Sequence, residues 1–168
     1  DDRQEDNLKL KKELSSAIEK ASSEEVLKEE IAKWWAVGHV PKKAISSTNT
    51  AFDKAVEASA KHLKLDKDSY EKLIFDAKIA SFKASENGEK LLENEKRYVK
   101  EQVEKIKNDI NQFENNLSFF GESKGAQKLK EVVEKRVNES KERLEFCMKK
   151  LKQFYIWITY RHCDEARI

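Results

Sequence analysis

The chain has 168 residues, of which 39% are charged and 38% hydrophobic, with four glycines and one proline. That charged fraction is far above the roughly 25% of an ordinary soluble domain, which excludes a thick globular core and the turn-rich layout of a β fold; long helices that each bury one stripe remain. With 34 basic against 32 acidic residues the net charge is +2, so no global field holds nucleic acid, although local patches remain open.

The first predicted helix carries Leu10, Leu14, Ala17 and Ile18 and breaks at 21–23. Ser23 followed by Glu24 and Glu25 reads as a helix start, because a serine hydroxyl accepts a free amide and acids suit the positive end of the dipole. Leu27, Ile31, Trp34 and Trp35 then mark one face, and Gly38 with Pro41 supplies the stop. The stretch WWAVGHVPKK (34–43) is the most distinctive of the chain. It reads as a corner, in which Gly38 and Pro41 turn the backbone and Trp34 locks the angle against the helix of Phe52. The competing reading is an aromatic platform for a base or peptide.

Ser46, Ser47 and Thr48 are the expected caps of the next helix, whose stripe is Phe52, Val56, Ser59/Ala60 and Leu63. Asp66 or Asp68 is expected to cap a third, carrying Tyr70, Leu73, Ile74, Ala77 and Phe82 and closed by Asn87 and Gly88. From Val99 the apolar positions alternate in steps of four and three: Val103, Ile106, Ile110, Phe113, Leu117, Phe120. That spacing is a heptad seam. The tract GESKGAQK (121–128) reads as a loop. A second seam follows at Val133, Val137, Ser140, Leu144, Cys147, Leu151, Phe154 and Ile158. Two seams joined by a short loop predict an antiparallel hairpin with arms of about 45 Å at 1.5 Å per residue. From Tyr155 the composition turns aromatic and β-branched; this tail docks on another surface or is a reading-frame artefact, and the sequence keeps both open.

Chemistry-bearing residues are sparse. His39 stands alone, with no carboxylate, serine or cysteine at a telling spacing. Lys42 and Lys43, with His39, form the best local basic cluster; Lys128 and Lys130 near the hairpin tip and the pair Lys149–Lys150 are the others. These are candidates for phosphate or partner contact. Cys147 lies in the seam and reads as a small buried hydrophobe, while Cys163 beside His162 has no partner spacing. The two cysteines therefore argue for a reducing compartment and against a disulfide framework or zinc site. No phosphate loop, metal motif or carboxylate set among apolar residues is legible, so no catalytic residue and no cofactor are expected. No apolar run reaches membrane-spanning length, the first ten residues lack a signal-peptide core, and without a starting Met the chain is expected to be a fragment.

The run Trp34-x-x-x-Gly38-x-Val40-Pro41, with Lys42, Lys43 and, after a gap, Phe52, resembles the bacterial domain of unknown function 349 family. The stretch from 66 through NQFENNLSFFGESKG (111–125) to 152 looks like the terminal hairpin of proteins carrying several such repeats. Two departures stand out. Asn49 occupies a place the family often fills with an aromatic residue, and Asp53 stands where it often has Arg. If that Arg serves a shared function, this copy lacks it and is expected to be a structural terminal repeat. The resemblance implies an all-helical, intracellular bacterial protein and no established activity. The combined expectation is an all-α chain: a helical repeat of this family's type over 1–65, a connecting helix over 66–88, a long antiparallel coiled-coil hairpin over 89–158 and a tail over 159–168. Trp34, Gly38, Pro41, Phe52, Ile110, Phe113, Leu117, Leu144 and Leu151 are its structural residues. The expected role is a cytoplasmic, non-catalytic interaction or scaffold module with a protein partner; the alternative is a nucleic-acid- or ribosome-associated factor using the local lysine clusters.

Overall fold

The computed structural model describes the backbone of residues 2–165 and the side chains of residues 2–157. The described residues form α1 (Asp2–Glu19), α2 (Glu24–Ala36), a 3₁₀ turn (Lys42–Ala44), α3 (Ile45–His62), α4 (Lys67–Lys83), α5 (Gly88–Leu117) and α6 (Lys124–Glu165), with no strand among them. They divide into two compact units, residues 1–92 and 93–168.

In the first unit, α1 packs on α2 and α3, and α2 also packs on α4. Ile18, Leu27 and Ile31 are completely buried at the centre, joined by Trp34, Phe52, Val56, Leu73 and Ala77. Full burial of side chains of this size stabilises by about 1.5–3 kcal/mol each, so these few positions dominate the unit's cohesion. Small residues at Ser15, Ala55 and Ser59 are buried on α1 and α3, which lets those two backbones approach closely.

The helix ends follow local chemistry. The Ser23 hydroxyl accepts the Val26 amide at 3.3 Å and starts α2. Asp66 starts α4 by accepting the Ser69 amide at 2.7 Å. That bond holds the Asp66 carboxyl below its usual range. Because the folded value is depressed, the cap contributes fully above the ordinary carboxylate range and fades as acid protonates it. The serines expected to cap α3 do otherwise. The helix begins at Ile45 behind Ala44 with no side-chain cap, Ser47 donates back to the Ala44 carbonyl, and Thr48 is buried.

Helix α3 ends on Lys64, which holds φ at +55°. The Leu65 amide reaches the Ala60 carbonyl at 3.0 Å and the Lys64 amide reaches that of Lys61 at 3.1 Å. This is the paired termination usually built on glycine, and an L side chain in the left-handed region gives up about 1–2 kcal/mol. Lys64→Gly is therefore expected to raise the stability of the first unit by about 1 kcal/mol in urea unfolding; no gain would mean the Lys64 stem packs well enough to offset the strain.

Two expectations need correction here. The stretch 66–88, expected as a connector, is a core element. Leu73 and Ala77 on one side of α4, and Phe75 and Ile79 on the other, are all buried. Apolar residues on both sides of a helix leave no purely solvent face. Gly88, expected to close that helix, instead opens α5. A Cβ there would run into the Phe82 carbonyl, so the tight turn itself demands glycine.

In the second unit, the seam residues Val99, Val103, Ile106 and Ile110 of α5 and Val137, Cys147 and Phe154 of α6 are buried. Glu114, late in α5, pairs with Lys141 at 2.9 Å, and Lys96, early in α5, lies 5.1 Å from the Tyr155 ring centre late in α6. The expected loop over 121–128 is shorter than the sequence suggested. Ser123 accepts the Ala126 amide at 3.2 Å, so α6 already begins at Lys124 and takes Gly125 into its first turn. At the other end α6 runs on to Glu165, so part of the stretch 159–168 set apart as a tail continues the helix. The side chains of Ile158, His162 and Cys163 lie outside the described residues.

Candidate functional site

The corner at 34–43 is held by packing from three helices. Trp34 is 5% exposed and stacks on Phe52 with ring centres 4.1 Å apart and planes at 26°. Trp35 meets the same Phe52 at 5.9 Å and 50° and is only half-buried. Since Phe52 covers one face of the Trp34 ring, the other takes Lys11, whose Nζ lies 3.9 Å from the ring centre. Burial pushes the Lys11 amine below its ordinary pKa, so the amine is partly desolvated where it meets the ring. Trp34 Nε1 has no hydrogen-bond partner. The indole therefore acts here through its faces.

Gly38 works by space. No glycine of the chain has positive φ, and α2 ends on Val37 in an extended conformation. A Cβ on Gly38 would lie 2.9 Å from Asn7 Nδ2, which donates to the His39 carbonyl at 2.8 Å. The expectation of a glycine stop gives way to a close approach: α1 is tied to the corner through the His39 backbone, while the imidazole is exposed. Val40 is buried behind it, Pro41 precedes the 3₁₀ turn, and Lys42 and Lys43 stand exposed on that turn.

The five candidate contact residues are divided between the two units. His39, Lys42 and Lys43 belong to the first unit, whereas Lys128 and Lys130 sit in the opening turns of α6 in the second. Along the seam, Phe113, Leu117, Leu144 and Leu151 are half-buried, between the fully buried positions and the outer charges. Among the described residues no group of three or more His, Cys, Asp or Glu side chains is placed to hold a metal ion, and no helix is long and apolar enough to cross a membrane.

Cys147 is a free, buried thiol in the seam. Alkylation under native conditions is expected to leave Cys147 largely unmodified and to become fast only when the second unit unfolds, because the thiolate must reach the reagent. Mass spectrometry of the Cys147 peptide with and without urea checks this; rapid native labelling would contradict its place in the seam.

The sequence reading named residues 111–130 but not the exposed apolar surface beside the α5–α6 loop. An open groove there is lined by Phe113, Asn116, Phe120, Val132, Val133 and Arg136. Phe119 is 85% exposed, Val132 55% and Leu129 54%. The signal was present in the pairs Phe119–Phe120 and Val132–Val133, where a second apolar residue stands beside each seam position and widens the stripe beyond what one partner helix covers. Comparison with protein-family models, with curated proteins and with solved structures finds no match to this chain.

Proposed function

We propose that the chain is a non-catalytic helical interaction module, in which a stack of short helices precedes in sequence an antiparallel coiled-coil hairpin that acts as a rigid arm for a protein partner. The observation that carries this reading is the continuous apolar seam of α5 and α6. Helices of 30 and 42 residues, about 45 and 63 Å long, bury Val99, Val103, Ile106 and Ile110 on α5 and Val137, Cys147 and Phe154 on α6, while most of their exposed positions are charged or polar. A helix pair of this length is stiff and offers a large polar surface around a narrow apolar line, which suits display and docking. The pairings Glu114–Lys141 and Lys96–Tyr155 support the antiparallel direction. The packing of α1 on α2 and α3 supports a short helical repeat of the kind that the likeness to the domain of unknown function 349 family implies, and the bacterial setting follows from that likeness alone.

Affinity capture from bacterial extract, with and without nuclease, tests the reading. A protein retained equally in both, and only weakly affected by salt, is the expected result. Retention that vanishes with nuclease and falls steeply with salt would assign the lysine clusters to nucleic acid instead, since released counterions give phosphate contacts a steep negative salt slope.

A further inference from the structure

We propose that Asn87, followed by Gly88 between α4 and α5, is a self-modification site that loses ammonia to become an aspartyl or isoaspartyl residue, and that the folded turn holds this reaction in check. It goes beyond the interaction-module reading and stands apart from it. Of the nine asparagines, eight lie within α1, α3, α5 and α6, and Asn87 alone stands in a turn. It is also the only one followed by glycine, and it is exposed. A residue without Cβ puts no bulk beside its own amide nitrogen, so Gly88 is the follower that least obstructs attack on the Asn87 side chain. Space fixes that follower. A Cβ at Gly88 would run into the Phe82 carbonyl, so the turn retains the labile pair.

The chemistry balances with water alone. The Gly88 nitrogen, having given its proton to solvent, bonds to Asn87 Cγ; the bond from Cγ to the side-chain nitrogen breaks, and that nitrogen takes a proton from solvent and leaves as ammonia. The cyclic imide then takes up water. Cleavage between the Gly88 nitrogen and Cγ restores the normal backbone with a carboxylate at position 87. Cleavage between that nitrogen and the backbone carbonyl carbon of residue 87 leaves the chain running through the former side chain. The folded turn opposes the first step. The Gly88 amide donates to the Ser85 carbonyl at 3.1 Å, and the Asn87 carbonyl accepts the Leu91 amide at 3.1 Å. The attacking nitrogen is thus engaged with Ser85, and the peptide plane between Asn87 and Gly88 is held on both sides. Ring closure needs that plane to turn, so it draws on the population in which the first turn of α5 has opened. The products differ in consequence. Aspartate caps a helix about as well as asparagine and suits the positive end of the dipole, whereas the isoaspartyl link adds a backbone methylene where Gly88 already abuts Phe82.

The test incubates the full chain in mildly alkaline buffer, both folded and unfolded in guanidinium chloride. Mass spectrometry then follows tryptic peptide 84–90, whose sole asparagine is Asn87. In the unfolded chain Asn87 should convert faster than every other asparagine, with aspartyl and isoaspartyl products resolved by fragmentation. Folding should slow that conversion by at least about tenfold, and hydrogen exchange at the Gly88 amide should be slowed by a similar factor, because the same opening admits both. Asn87→Gln should leave the peptide unconverted, since the longer side chain closes the ring far less readily. Conversion of Asn87 no faster than that of the other asparagines in the unfolded chain would overturn the proposal. Equal rates in the folded and unfolded chains, or free exchange of the Gly88 amide in the folded one, would overturn it as well.

Discussion

Trp34→Ala is expected to remove about 3–5 kcal/mol from the first unit, the range for truncating a buried aromatic side chain. Three contacts go at once: the stack on Phe52 at 4.1 Å, the cover over Lys11 at 3.9 Å, and the fill beside Ile31 in the core. Against a total stability of about 5–15 kcal/mol for a domain, that loss brings the unit close to unfolding at room temperature. Trp34→Phe separates packing from polarity. It keeps an aromatic face on Phe52 and removes an indole N–H that has no partner, so it should lose no more than about 1.5 kcal/mol. His39→Ala should fall within about 0.5 kcal/mol, because only the backbone of His39 is engaged and exposed substitutions usually stay in that range. Pro41→Ala should lie between, through a looser unfolded chain. Urea unfolding followed by helix content gives the order. Near-native stability of Trp34→Ala would return the aromatic pair to the platform reading.

Ile110→Asp should strongly destabilise the second unit. Ile110 is 7% exposed at the middle of the seam, its neighbours there are Ile106 and Phe113, and no cation is part of that line. A carboxylate forced into such a site is either ionised without a partner or neutralised by a raised pKa, and the loss is about 3–5 kcal/mol either way. For a unit of this size each kcal/mol moves the midpoint by about 4–8 °C. A fall of at least about 12 °C in the transition of the second unit is therefore expected. Because the chain contains two compact units, the melt should be fitted with two transitions, and the first should hardly move. A parent-like melt would displace Ile110 from the seam.

The helices themselves were legible because the strongest signals are local. Ser23 and Asp66 announce their caps by side-chain chemistry, and on the four-three line Val99, Val103, Ile106 and Ile110 are buried while Phe113, Leu117 and Phe120 are half-buried. What escaped was set by neighbours distant in sequence. Gly38 looks like a helix stop until Asn7, 31 positions earlier, fills the space where its Cβ would stand. Gly88 reads as an ending because a glycine after an asparagine usually is one; only the carbonyl of Phe82, folded back on it, makes it a beginning. Helix α4 looked like a link because no rule of spacing distinguishes a weakly amphipathic helix from one covered on two sides. At the corner, the roles of Trp34 and Phe52 were readable from residue type and position, but the amine of Lys11 over the ring was not, since any of several lysines on α1 had the reach. Beside the α5–α6 loop the pairs Phe119–Phe120 and Val132–Val133 were visible, but only Phe120 and Val133 entered the seam.

The double burial of α4 decides where this polypeptide can be divided. A piece ending at residue 65 would leave Leu27, Ile31 and Trp34 of α2 without the wall that Leu73 and Ala77 provide, and such a piece should precipitate or bind hydrophobic dyes. Retaining α4 but ending after Lys83 would leave out Gly88 and the backbone turn that closes on Phe82. The shortest amino-terminal piece that keeps the whole first unit ends at residue 92, inside α5 and not in a loop. Proteases should find no soft joint there: digestion under native conditions is expected to nick the exposed turns at 84–87 and 118–123 before any bond between 89 and 117.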